Sequence, residues 1–191
     1  MGYIIGFLAA LLFGSNGSVV KLVLSEGVTA AQMTFFRATA TMVVAGIVLL
    51  FTERSAFKIS FRRLLAMAAL GILGVAMLQW FYALAIERIP VGIALLFEYL
   101  AVLAVAVIAR FVFKEQVRAR LWVAIVLVLI GLGVVAEMWN SSVDGLGMIF
   151  ALIAAASYTI YFLIGERALQ GMNVVAMTFW SMLFASVFWA F

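Results

Sequence analysis

Seven long apolar runs follow one another along this chain, at roughly Tyr3–Leu24, Ala30–Phe51, Leu64–Ile86, Val91–Phe113, Leu121–Ala136, Leu146–Ile164 and Val174–Phe191. A hydrocarbon layer ~30 Å thick is crossed by about 20 apolar residues in a helix, and the runs have that scale. Strands of a membrane barrel are excluded, because they need only ~10 residues and alternate apolar with polar positions. Water is excluded as the solvent too. The chain is 69% apolar and 10% charged, whereas a soluble domain carries about a quarter of its residues as charges. The expected fold class is an all-α, polytopic membrane protein with about seven transmembrane helices. Short connections make neighbouring helices antiparallel. Pro90, the single proline, stands at the start of the fourth run, where its missing N–H breaks no helical bond. The N-terminus has neither a basic leader nor a cleavage site, so the first run reads as a retained span.

The charges lie mostly between the runs, and they are sorted by sign. Arg54, Lys58, Arg62 and Arg63 follow the second run, Arg110, Lys114, Arg118 and Arg120 the fourth, and Arg167 the sixth. The opposite side holds only Lys21 and Arg88 among Glu26, Glu87, Glu137 and Asp144. The positive-inside rule then places the N-terminus of this multi-pass protein in the cytoplasm of the cell, with the cell membrane as its bilayer. Topology also accounts for the net charge of +4. No basic stripe carries interleaved exposed aromatics, so nucleic acid is not an expected partner. The chain has no cysteine and no histidine, which removes disulfides, thiolate chemistry, haem ligation by histidine and ordinary zinc sites. No phosphate-binding loop, nucleophile elbow or metal cluster can be read, so neither a cofactor nor an enzymatic activity is expected. Any transport would run on an ion gradient, on exchange, or on the solute's own gradient.

The runs also carry an echo. Gly27-Val-Thr-Ala-Ala-Gln-Met33-Thr34-Phe35-Phe36 returns 144 positions later as Gly171-Met-Asn-Val-Val-Ala-Met177-Thr178-Phe179-Trp180. Five runs separate the two copies. A repeat with an odd number of crossings inserts its second copy upside down, the arrangement that lets two halves of a secondary transporter rock about a central site. The expected organisation is a first five-helix repeat over residues 1–137 and the start of a second, inverted repeat over residues 145–191. The last run ends at Phe191 without a polar or basic flank. The second repeat is therefore expected to be incomplete here, lacking three of its helices.

Several segments resemble the EamA-like drug/metabolite transporter superfamily. Ala9-Ala-Leu-Leu-Phe-Gly-Ser-Asn-Gly-Ser-Val-Val-Lys21 is similar to its opening helix, and Thr34-Phe-Phe-Arg37 to its arginine-bearing second helix. Phe81 to Tyr99, with Glu87-Arg88-Ile89-Pro90 and Glu98-Tyr99, resembles its third and fourth helices. Lys114-Glu115 followed by Leu121 to Val135 resembles its basic–acidic loop and Gly-rich fifth helix. The resemblance implies ten helices as two inverted sets of five, with both termini cytoplasmic. It also implies secondary transport, in the direction of efflux, of a small organic solute such as an amino acid, metabolite or drug. Two positions depart from the pattern. Val102 stands where many relatives have proline, and Ser181 occupies the repeat-equivalent position of Arg37.

A few polar residues fall inside the runs. Arg37 lies about seven residues into the second run and Glu98 about eight into the fourth. Both runs enter from the same side, so the two charges share a depth of ~10 Å at 1.5 Å per residue. Such a charge is costly unless it pairs or reaches water. The pair either orients substrate and exchanges protons, or is a structural ion pair. Ser15 and Asn16 lie mid-run beside Gly14 and Gly17, where a loosened helix can build a midplane site or small residues can simply pack. Gln79 and Tyr82, beside Trp80, sit in the outward half of the third run, where an aromatic belt explains the rings better than substrate stacking. Tyr99 and Tyr158 are deeper pocket candidates. Gly71, Gly74, Gly131 and Gly133 read as points of close helix approach.

The leading reading is a transporter that binds a small-molecule substrate and works by alternating access between inverted halves. A homodimer is left open. The alternative is a non-transporting membrane receptor or assembly subunit. An intramembrane enzyme would need a catalytic dyad, and none can be read.

Overall fold

Long apolar segments without internal proline can satisfy their backbone groups in lipid only by coiling into helices, and each run does so. The computed structural model describes residues 2–135 and 144–190. The helices are α1 (Gly2–Ser25), α2 (Ala30–Thr52), α3 (Phe61–Arg88), α4 (Val91–Phe111), α5 (Ala119–Val135), α6 (Gly145–Leu169) and α7 (Val174–Ala190). A 3-10 turn at Arg54–Phe57 precedes α3. Among the described residues, α2, α3, α4 and α6 are long and apolar enough to cross a membrane. Large apolar side chains such as Phe51, Phe111 and Leu127 face outward, a surface that suits lipid and would be untenable in water. The protein is an all-helical, polytopic membrane protein.

Local chemistry sets the helix ends. Thr29 and Gln32 form a reciprocal capping box at the start of α2, after Gly27 turns the chain with φ +89°. Asn173 plays the matching part at α7, its Oδ1 accepting from the Val175 N–H at 2.6 Å. The starts of α2 and α7 are thus offset by the same 144 positions as the sequence echo. Ile89 is extended before Pro90, whose carbonyl accepts from the N–H groups of Ile93 and Ala94 to open α4.

Packing centres on α3. Its C-terminal half meets α6, with Ala83, Ala85, Ala151 and Ala154 all buried in the contact cluster. Small residues let the backbones come close and gain van der Waals contact, the main attraction left between helices in lipid. α6 also packs on α4, and α7 lies along α2 and α3. The α2–α7 pair is antiparallel. Glu53 at the end of α2 takes a 2.9 Å hydrogen bond from Asn173 at the start of α7, while Thr39 and Ser186 share one of 2.6 Å nearer mid-helix. At the other end of the bundle, Arg88 at the end of α3 pairs with Asp144 before α6 at 3.2 Å. That hydrogen bond, with help from the Leu146 and Gly147 amides, holds the exposed Asp144 carboxyl below its ordinary value.

The third run is not a plain α-helix. Leu70–Ala76 is wound as a π-helix between α-helical halves, and its two glycines mark the closest approaches. A Cβ on Gly71 would strike the Ser181 carbonyl oxygen of α7, and one on Gly74 would lie 3.1 Å from Tyr161 Cα of α6. The wider turn brings both neighbouring backbones against α3 at one level.

Candidate solute site

α3 resumes its α-helical winding at Met77. A stripe that begins at Val75, in the last part of the π-helical turn, continues through Leu78, Gln79 and Tyr82. That stripe walls a cavity of about 200 Å³, closed by Arg37 from α2, Leu95 and Glu98 from α4, Tyr158 and Tyr161 from α6, and Met182 from α7. Five helices thus meet around one small space. Glu98 is 6% exposed. Among the described residues Arg37 and Glu98 make no ion pair within 4.0 Å and no hydrogen bond to each other. The two charges face a shared space rather than closing on one another. Buried charges in lipid are balanced by a partner, by water or by a bound solute, and here the balance must be met in the cavity.

Two residues of the cavity wall also carry polar atoms that are buried without a hydrogen-bond partner among the described residues, Gln79 Oε1 and Tyr82 Oη. A buried polar group left unpaired costs roughly 1–3 kcal/mol, so a side-chain rotation that turned either atom toward an entering donor or acceptor would recover that cost. Tyr158 stacks on Phe162 at 4.5 Å and neighbours Tyr161 at 6.0 Å, giving the site a rigid aromatic wall. The arrangement brings together one cation, one anion, the polar side chains of Gln79 and Tyr82, and apolar surface from Leu78, Leu95 and Met182. That set suits a small organic molecule with polar ends. It contains no nucleophile–base pair.

The model of the EamA-like transporter family matches residues 1–136. The chain belongs to that family. Searches of curated proteins and of solved structures give no match. The family is one of membrane transporters within the drug/metabolite transporter superfamily, and this chain is a multi-pass member of it.

The family match covers α1 to α5, and therefore Arg37, Gln79, Tyr82 and Glu98. Tyr158, Tyr161 and Met182 lie beyond the match, yet they wall the same cavity. Of the residues singled out in the sequence, Arg37, Gln79, Glu98 and Tyr158 are brought together. Tyr99 is not. It lies on the α5 side of α4, in a small apolar cleft with Val102, Leu121 and Ile125. Ser15 is exposed on α1 and does not line the cavity, and the side chain of Asn16 lies outside the described residues. The expected aromatic belt needs correction at Tyr82, which is 5% exposed and buried in the cavity wall. Gly17 explains how. A Cβ there would lie 2.6 Å from Tyr82 Oη, so α1 approaches the tyrosine through a residue with no side chain. Tyr161 and Met182 were not read from the sequence as site residues. In so apolar a chain a ring or a thioether carries no signal until the fold places it.

Proposed function

We propose that this family member is a secondary transporter that exports a small organic solute by alternating access, with Arg37 and Glu98 as the charged walls of its binding cavity. The observation that carries this reading is two opposite charges lining one cavity among apolar helices without pairing directly. A purely structural pair gains most from contact, whereas a solute site leaves room between its charges. The cavity volume of about 200 Å³ lies below the ~300–1,000 Å³ of drug-sized sites, which favours a small metabolite such as an amino acid over a bulky drug. Gln79, Tyr82 and Tyr158 orient the solute, and Glu98 exchanges a proton during the cycle.

Two halves, residues 1–137 and the segment from 145 onward, rock against each other in this reading. Its support is the offset of 144 positions between the echoed segments and between the helices they start, together with the antiparallel seating of α7 on α2. The distribution of basic residues supports a cytoplasmic N-terminus.

The test compares abundance and solute flux in the same membranes. Glu98→Gln leaves abundance nearly unchanged but abolishes the pH dependence of flux, since an amide cannot exchange a proton. Arg37→Gln lowers flux by at least about tenfold, as the loss of a charge-assisted contact implies. If each single change instead lowers abundance and the double change restores it, the pair is structural and the assignment is wrong.

A further inference from the structure

A second cavity, of about 560 Å³, opens between the start of α3 and the turn joining α6 to α7. Arg62 and Arg63 reach it from the first turn of α3, and Arg167 from the last turn of α6, while no carboxylate lines it. Among the described residues none of these arginines has an ion-pair partner. Glu53, which shares an adjoining pocket with Arg63, is instead hydrogen-bonded by Asn173 at 2.9 Å and Ser55 at 3.4 Å. Contacts other than carboxylates hold two of the guanidinium groups, one by a cation–π contact and one by packing. Arg167 lies over the Phe113 ring at 4.6 Å. Arg63 lies against Gly171, where a Cβ would come within 2.5 Å of its Nη2. Ala66, Met67, Ile164 and Met172 make the rest of the wall apolar.

We propose that this arginine-walled cavity is a binding site for the phosphate headgroup of an anionic phospholipid. Guanidinium forks bind phosphate oxygens two at a time, and three unpaired forks converge here. The apolar wall decides between a lipid and a free phosphate, because it accepts the glycerol and upper acyl chain that an inorganic ion lacks. Basic pockets between membrane helices bind acidic headgroups for this reason. Topology alone explains why these residues are basic, but it requires neither their convergence from two helices nor a glycine that seats one of them.

The whole protein is reconstituted with equal phosphatidylglycerol and phosphatidylcholine, and the lipid retained is measured by native mass spectrometry. The expected result is retention of phosphatidylglycerol over phosphatidylcholine by about tenfold, the scale of a few arginine–headgroup contacts. Changing Arg62, Arg63 and Arg167 together to Gln abolishes that preference. Changing Arg110, Arg118 and Arg120 to Gln removes the same charge from outside the cavity and preserves it. An equal loss in both variants means diffuse attraction and overturns the site. The unmodified protein gives a separate check through competition. Glycerophosphoglycerol without acyl chains and inorganic phosphate should each displace the lipid at least about tenfold less well than soluble short-chain phosphatidylglycerol. Equal displacement by phosphate makes the ligand a free anion, and no lipid preference at all ends the proposal.

Discussion

At the scale of single residues, charge was legible in the sequence and aromatic placement was not. Arg37 and Glu98 stand out in any apolar run because their desolvation has to be met by something, and matching depth predicted that they would face each other. Tyr82 gave no such signal, since a tyrosine near a span end is explained better by an interfacial belt. Its burial depends on Gly17 of α1 lying against its hydroxyl, a contact between segments far apart in sequence. The unpartnered hydroxyl separates function from packing. Tyr82→Phe removes a polar atom with no protein partner, so abundance and unfolding midpoint should hold within about 0.5 kcal/mol or rise slightly. Solute affinity should fall by about five- to tenfold if that hydroxyl meets the solute, as expected for one lost hydrogen bond. Flux measured across solute concentrations gives the answer, and an unchanged KM would remove Tyr82 from the site.

The helices as elements were readable from run length alone, and the start of α4 from Pro90; the caps at Thr29 and Asp144 came only with the structure. The π-helical turn at Leu70–Ala76 was not readable either, because no residue type demands one extra residue per turn. Winding of this kind is favoured by tertiary contacts and recurs at functional sites. Here it stands where two foreign backbones press on α3, and its Val75 begins the stripe that walls the cavity. Gly71 and Gly131 looked alike in sequence, yet the structure separates them. Ala at Gly71 would drive its Cβ into the Ser181 backbone, whereas among the described residues nothing lies within 4 Å of the same atom at Gly131. Gly71→Ala should therefore destabilise the protein by about 1–3 kcal/mol, the range for overpacking a tight contact. Gly131→Ala should be neutral or stabilising by at most about 1 kcal/mol. Thermal unfolding in detergent reads both, and similar midpoints would refute the role given to the π-helical contact.

At the scale of the whole molecule, the seam between α2 and α7 is one of the contacts where the proposed halves meet, alongside those of α6 with α3 and α4, and it constrains where motion can occur. Displacement in a rocking motion grows with distance from the pivot. Thr39 and Ser186 share their 2.6 Å hydrogen bond near the middle of the seam, while Glu53 and Asn173 meet at 2.9 Å at its end. Fourteen residues of helix separate Thr39 from Glu53, or ~21 Å at 1.5 Å per residue. The chain has no native cysteine, so introduced pairs report without background. Thr39→Cys with Ser186→Cys places two thiols within disulfide reach, and that bond near the pivot should form under mild oxidation and leave flux near wild type. A short bis-methanethiosulfonate, which joins Glu53→Cys and Asn173→Cys through two mixed disulfides with sulfinate leaving, ties the seam where it must open, and flux should stop until the link is reduced. Each pair serves as the control for the other, since both join the same two helices. Arrest by the middle link and tolerance of the end link would place the pivot at the basic end. Tolerance of both would mean that α2 and α7 move as one body, and the alternating motion would have to lie elsewhere in the bundle.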